Sequence, residues 1–460
     1  MVKNFEALII GAGQAGGPLA QKLAAQGLKT AIIERRFVGG TCINDGCTPT
    51  KSWVASSDAA YAASRAPNLG IDIPLFKVNM AKIKARKDEI VHSFREGGER
   101  RLKNTPNLEL IYGEASFLDN KTISVKQADG ELVLVADKIF INAGCRPFVP
   151  NIPGIEDIQV LTSHSILELQ YVPEHLLIIG GGYIALEFGQ MFRRFGSAVT
   201  ISYRGGQFTS QEDPDIAGGL EEIFKLEGIN LVPFSQPTHF RKLSDQYVEA
   251  TVSIKGESQY IKCSHVLFAT GRIPNTEALG LENKKIKLND LGYIEVDERL
   301  ETSVPGVYAL GDINGGPAFT HTSYHDFTIV YRNLFENGGL SAKDRLVPYC
   351  IFTDPPLGRV GLTELQARNR GLNFRVVSLP ANYIARAVEK GDTRGFIKVI
   401  VDTDTKLILG VAALCTDGGE LMTILHMAMA ANITYLQLKY WIFAHPLYAE
   451  SINNLFGGIE

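Results

Sequence analysis

Two cysteines separated by four residues lie in Gly39-Gly40-Thr41-Cys42-Ile43-Asn44-Asp45-Gly46-Cys47-Thr48-Pro49-Thr50-Lys51, shortly after a glycine-rich turn. A thiol pair held beside a redox cofactor can cycle between dithiol and disulfide, so electrons leave the cofactor through sulfur. Cys145, Cys263, Cys350 and Cys415 are scattered singly and read as small buried hydrophobes. Six cysteines in 460 residues are no disulfide scaffold. In a reducing compartment a close cysteine pair is more often catalytic or metal-binding than structural.

Two dinucleotide-binding fingerprints must position that chemistry. The first reads as a strand Glu6–Ile10, a turn through Gly11, Gly13 and Gly16, a small-residue helix to about Gln26, and a strand Lys29–Glu34. The glycines allow a tight turn and a close approach of backbone N–H groups to a pyrophosphate at the helix N-terminus. Glu34 falls about 20 residues past the turn, where a carboxylate holds ribose hydroxyls. The second has a strand Leu176–Ile179, then Gly180, Gly181, Gly182, Tyr183, Ala185 and Glu187, and a following strand Ala198–Ser202. Two such sites imply two cofactors, one passing electrons to the other.

The segments Ile139–Pro147 and Val266–Pro274 echo each other, each a strand leading into a turn at Gly144 or Gly271. They read as the exit and return joints of an inserted domain. Beyond about Ala342 the pattern changes to strand-like segments such as Gly395–Val401 and a Met-rich helix over Gly419–Ala431, whose methionines read as core packing. The length suggests about three domains. The fold class is therefore α/β, with two Rossmann-like domains and a C-terminal α+β domain.

The formal net charge of -4 gives no electrostatic reason to expect nucleic acid as a partner. Ala7–Ile10 runs straight into the glycine turn and reads as a buried strand, not a signal peptide. No run approaches the roughly 18 apolar residues of a membrane helix. A cytoplasmic location without membrane partners is expected, and no metal site is assigned.

These motifs, in this order and over essentially the whole chain, resemble the class I pyridine nucleotide–disulfide oxidoreductases. The resemblance is carried by the first fingerprint, Gly-Gly-Thr-Cys42-x4-Cys47-x-Pro-Thr-Lys51, the second fingerprint, the turn Ala269-Thr270-Gly271 and Gly311-Asp312. It continues through Phe352–Pro355, Val360–Glu364 and His445-Pro446 with Glu450. It implies an FAD-binding domain in two parts, 1–147 and 269–341. Residues 148–268 would bind NAD(P), and 342–460 would form the dimerisation domain. Asp312 would bind the ribityl and pyrophosphate region of FAD, with Gly40, Thr41 and Lys51 along the flavin. Gly113–Ala115 would form a loop beneath the adenine. His321 would open a helix whose N-terminus faces the flavin pyrimidine carbonyl.

The same resemblance implies the chemistry. Hydride passes from the nicotinamide to FAD, with Tyr183 gating the nicotinamide pocket and Lys51 paired with Glu187 near the reactive flavin nitrogen. Reduced flavin then opens a Cys42–Cys47 disulfide, Cys47 being the flavin-side sulfur and Cys42 the exchanging thiol. His445 would supply the proton for the leaving thiol, oriented by Glu450. In the family this histidine comes from the partner subunit, which implies a homodimer. At the end of the second domain's second strand, NAD-using relatives carry an acid. Here Ser202-Tyr203-Arg204 offers none, and Arg204 suits a 2′-phosphate. NADPH is expected over NADH, although a second arginine, frequent soon afterwards in NADPH-using relatives, is replaced by Thr209-Ser210-Gln211.

Ala381–Ala387 and Asp392–Lys398 resemble the mercuric reductase-like branch. The C-terminal residues Asn454–Glu460 contain no cysteine pair, no N-terminal metal-binding domain is expected, and His445 is retained. The expectation is a reductase of a small disulfide. The alternative is a mercury- or copper-ion reductase using Cys42 and Cys47 as soft ligands, and a third reading is a non-catalytic redox sensor that kept the fold. The identity of the disulfide, assembly beyond the dimer and the effect of Thr48-Pro49-Thr50 on redox potential are not legible in the sequence.

Overall fold

Val2–Ile10 forms a strand whose last four residues are all buried, as an unbroken apolar run requires when both faces of a sheet are covered. In this computed structural model, which describes residues 2–282, 284–343 and 345–459, that strand lies at the centre of a mixed sheet. Its order is Leu108–Tyr112, Thr30–Glu34, Val2–Ile10, Gly130–Ile141, Thr122–Gln127, Glu114–Phe117. Val307–Ala309 pairs in parallel with the end of the Gly130–Ile141 strand, Ala309 opposite Ile141. The helix Gly16–Ala25 follows the first strand and buries Leu19, Ala20, Leu23 and Ala24. It shares a core with the helix Thr320–Phe335, through Phe327, Val330 and Tyr331. These elements belong to one compact unit, built from the chain up to Ser52, Lys84–Phe148 and Gly271–Arg345. The short strands Cys145–Pro147 and Arg272–Pro274 pair antiparallel within it, Ile273 opposite Arg146.

The second unit comprises Trp53–Ile83, Val149–Thr270 and the chain from Leu346 onward. It contains a parallel sheet in the order Asn230–Val232, Ala198–Ser202, His175–Ile179, His265–Phe268, Val160–Leu161. Ser235–Lys242, Val248–Ile254 and Glu257–Cys263 form an antiparallel meander. An antiparallel sheet from Tyr349–Ile351, Leu357–Gly361, Ile408–Leu414, Phe396–Asp402 and Phe374–Pro380 carries the C-terminal part. The Met-containing helix Gly418–Ala430 packs on it and buries Leu421, Met422 and Leu425. Among the described residues no helix is long and apolar enough to cross a membrane.

Two local expectations are corrected. Ala115 is not in a loop: Glu114–Phe117 is a strand, with Ala115 opposite Val125 and buried with Phe117 in the sheet core. The alternation of exposed and buried side chains in Glu114-Ala115-Ser116-Phe117 is that of a half-buried strand. Cys350 is half-buried and not a core residue, whereas Cys145, Cys263 and Cys415 are buried. Burial pushes each of these three thiols up to about 12, with Asp312 adding to the effect at Cys145, which makes them inert at neutral pH.

Candidate active site

The first fingerprint is fixed by a residue far from it in sequence. Gly11 has φ +101°, and a Cβ there would sit 2.3 Å from the Asn142 carbonyl oxygen, so only glycine fits. The Asn142 side chain spans the turn: its Oδ1 accepts from Gly16 N at 3.0 Å and its Nδ2 donates to Leu310 O at 2.7 Å. Glu34 ends its strand buried, accepting from Ala12 N at 2.9 Å and from Arg36 N at 2.8 Å. It is thus held beside the turn containing Gly11, Gly13 and Gly16.

The cysteine segment is tied to the same turn. Gly39 N donates to Ala12 O at 2.8 Å, and Gln14 Nε2 donates to Gly39 O at 3.0 Å. Cys42 lies in the short helix Gly40–Asn44, and Cys47 is the first residue of the long helix Cys47–Arg65. Asn44 Nδ2 donates to Val38 O (3.1 Å) and Gly40 O (2.9 Å), while its Oδ1 accepts from Arg95 Nε at 2.8 Å. Arg36 pairs with Asp45 between the two cysteines. Cys42 is half-buried and Cys47 the more exposed.

Cys47 Sγ lies 3.3 Å from Thr320 Oγ1, the hydroxyl of the first residue of the helix Thr320–Phe335. A helix N-terminus at Cys47 and a hydroxyl donor both favour its thiolate. The Cys42 thiol is held well above the usual range, chiefly by its hydrogen bond with Cys47 and then by burial.

Asp312 sits in the one-turn helix Gly311–Asn314 and pairs with Arg272 Nη1 at 3.2 Å. That turn is anchored by Asp326, which is fully buried. Asp326 Oδ2 accepts from Gly311 N (2.7 Å) and Asn314 Nδ2 (3.3 Å), and Oδ1 accepts from Arg345 Nη1 (2.6 Å). His321 is the second residue of its helix and stacks on Phe319, ring centroids 5.3 Å apart. Thr41 is exposed, and Lys51 is half-buried near the start of its helix.

These residues fit an FAD. Thr322 Oγ1, in the first turn of the Thr320 helix, and Arg272 Nε, beside Asp312, are buried polar atoms without a hydrogen-bond partner. A Cβ at Gly144 or Gly271 would meet nothing within 4 Å. Room and unsatisfied polar atoms thus occur together around Asp312.

In the second unit the parallel-sheet fingerprint offers a site for a second dinucleotide. Gly182 caps the helix Tyr183–Phe195 with no side-chain hydrogen bond, and a Cβ there would meet nothing within 4 Å. Open space before an uncapped helix start suits a pyrophosphate. Ala185 is fully buried, Gly180 begins the turn with φ +127°, Tyr183 is exposed and Arg204 is exposed after the second strand. Glu187 is buried and accepts from Phe352 N at 3.0 Å.

Further along the same unit, His445 Nδ1 lies 2.8 Å from Glu450 Oε2 and 3.1 Å from Oε1, with the histidine side chain largely exposed. Asn453 steadies the preceding segment, its Nδ2 donating to Leu438 O (3.1 Å), Lys439 O (3.1 Å) and Trp441 O (3.0 Å). Elsewhere Asp213, Asp215 and Glu364 converge, but the Lys398 ammonium pairs with all three and neutralises the cluster.

The sequence reading named the glycines, the cysteine pair and His445 with Glu450, which the structure places within hydrogen-bond distance of each other, and did not name Asn142, Thr320 or Asp326. No local signal marks these three, because each acts on a segment distant in the chain.

Residues 5–326 match the family model of the pyridine nucleotide–disulphide oxidoreductases, and residues 347–456 match that family's dimerisation domain. The chain is 39% identical over 463 residues to the probable pyridine nucleotide-disulfide oxidoreductase RclA of Escherichia coli (strain K12), covering 100% of both. It is 34% identical to a mercuric reductase of Staphylococcus aureus, over 94% of this chain and 78% of that one. The solved Cu(II) complex of the HOCl-induced flavoprotein disulfide reductase RclA from Escherichia coli superposes with a TM-score of 0.91 at 38% identity, covering 100% of each chain. The chain belongs to the class I pyridine nucleotide–disulfide oxidoreductases, FAD-dependent enzymes that draw electrons from a pyridine nucleotide.

Proposed function

We propose that this protein is an NADPH-dependent disulfide reductase acting on a small disulfide through Cys42 and Cys47. The observation that carries the reading is the His445–Glu450 pair. An imidazole with one ring nitrogen held by a carboxylate presents the other to a proton acceptor. Thiol–disulfide exchange needs that proton for its leaving sulfur, whereas a metal ion does not.

FAD, when bound, takes a hydride from the nicotinamide and returns two electrons to the cysteine pair. Asp312, Thr41, Lys51, His321 and the turn at Gly11, Gly13 and Gly16 are assigned to holding it. Gly180, Gly182, Ala185 and Arg204 are assigned to NADPH, with Tyr183 over the nicotinamide. Cys47, favoured as thiolate by Thr320 and its helix start, is the flavin-side sulfur. Cys42 is the exchanging sulfur, and Cys47 displaces its product by re-forming the disulfide. In the proposed homodimer the His445–Glu450 pair of one protomer serves the cysteines of the other.

A second reading, reduction of a copper or mercuric ion at the same two thiols, is favoured by the relatives themselves, a Cu(II)-bound RclA and mercuric reductases. Anaerobic half-reactions separate the two. Holoenzyme reduced with one equivalent of NADPH is mixed with a pool of small disulfides or with a Cu(II) chelate, and reoxidation is followed by stopped flow. Fast reoxidation by disulfides that slows about a hundredfold in His445→Ala supports the first reading. Reoxidation by Cu(II) alone, at a rate indifferent to His445→Ala, overturns it in favour of the second.

A further inference from the structure

In a dinucleotide-binding domain, the end of the second strand and the loop after it meet the adenosine ribose and distinguish a 2′-hydroxyl from a 2′-phosphate. Here no residue at the strand end can hold the hydroxyl as a carboxylate would. Ser202 is buried against Ser235, Oγ to Oγ 2.7 Å, and Tyr203 is buried with its hydroxyl donating to Glu221 at 3.3 Å. Arg204 is exposed at the start of the loop. A phosphate monoester carries close to two charges at neutral pH, so one guanidinium leaves it undercompensated. The residues downstream supply no second cation, since Thr209 turns the loop back and donates its N–H to Gly181 O at 3.1 Å.

A second cation reaches this loop from elsewhere in the same unit. Phe234, between the strands Asn230–Val232 and Ser235–Lys242, is 48% exposed and has φ +52°, an unfavourable conformation for a bulky residue. Its N–H donates to Gly205 O at 3.1 Å. Its ring lies so close over Gly206 that a Cβ there would be 2.3 Å from the ring tip, which only glycine avoids. The tip of the meander also reaches Phe234. Lys255 donates its N–H to Phe234 O at 3.3 Å and carries its ammonium 5.2 Å from the ring centroid. Phe234 and Lys255, from two separate segments, therefore lie against the strand-end loop at Gly205 and Gly206, the residues that follow Arg204. Strain and exposure at a large aromatic side chain are costs that cap no core, and a cation–π contact alone returns little at the surface.

We infer that Lys255, held over Phe234, is the second cation for the 2′-phosphate of NADPH and that Phe234 is the residue that positions it. The inference rests on the NADPH reading, and the test separates the two. Purified holoenzyme is titrated calorimetrically with 2′,5′-ADP and with 5′-AMP, fragments that differ only in the phosphate in question. The wild type is expected to bind 2′,5′-ADP more tightly. Lys255→Met is expected to weaken 2′,5′-ADP about tenfold, flatten its salt dependence and leave 5′-AMP within about twofold, with Lys255→Arg restoring the difference. Phe234→Leu is expected to shift 2′,5′-ADP in the same direction by a smaller factor. A wild type that binds both fragments equally overturns the NADPH reading and the inference with it. A wild type that prefers 2′,5′-ADP while Lys255→Met keeps the full preference overturns the inference alone.

Discussion

Thr320 Oγ1 lies 3.3 Å from Cys47 Sγ, joining the first residue of one helix to the first residue of another across 273 positions of sequence. A hydrogen bond to a charged group is worth about 1.5–3 kcal/mol, which corresponds to about one to two pKa units for the thiolate. Thr320→Val is expected to raise the apparent pKa of Cys47 by about that much in reduced holoenzyme. The check is the pH dependence of the long-wavelength thiolate–flavin absorbance, and Thr320→Ser should restore it. An unchanged titration would remove Thr320 from the site.

The Asn142 side chain holds Gly16 N and Leu310 O together, and replacing it with alanine leaves both buried groups unsatisfied. Each such loss costs about 1–3 kcal/mol. Asn142→Ala is expected to lower apoprotein stability by about 2–6 kcal/mol in urea and to weaken FAD binding, measured as flavin fluorescence released on dilution. Tight FAD binding with unaltered stability would show that the turn is held by its glycines alone.

Asp326 and Arg345 form an ion pair with the carboxylate fully buried. Removing only the cation leaves an uncompensated charge, at a cost of about 3–5 kcal/mol. Arg345→Met should be destabilised by that order, and Asp326→Asn with Arg345→Met should recover a large part of it. A double-mutant cycle in denaturant measures the coupling. Additive losses would mean that Asp326 is satisfied by Gly311 N and Asn314 without the arginine.

Asp392 accepts from Arg394 at 2.7 and 2.8 Å and lies 3.4 Å from Arg65. Burial opposes its charge, but hydrogen bonding and attraction from Arg394, with help from Arg65, outweigh burial and hold it at about 2. A folded-state pKa below the unfolded value of about 4 stabilises the protein by about 2 kcal/mol above pH 4, and this is lost as pH falls through about 2. The gap in unfolding free energy between wild type and Asp392→Asn should therefore narrow between pH 5 and pH 3. A gap independent of pH contradicts the assignment.

The parts legible in the sequence are those whose function depends on spacing within one short segment. The glycines from Gly11 to Gly16, the cysteines at 42 and 47, and His445 with Glu450 are each contained in a few residues, so local geometry follows from their order. The segment at Ala115 was misread because a loop and a short edge strand share small and polar residues. The sheet pairing with Thr122–Gln127 decides between them.

By itself, the sequence determined two nucleotide-binding turns, a redox-capable cysteine pair and the family that uses them. Only the tertiary structure decided which residues hold those motifs in place: Asn142 across the first turn, Thr320 at Cys47, and Asp326 beneath Asp312. The physical reason is distance along the chain. A buried polar group needs a partner, but that partner can come from any segment the fold brings within about 3 Å, and residue order places no constraint on which one.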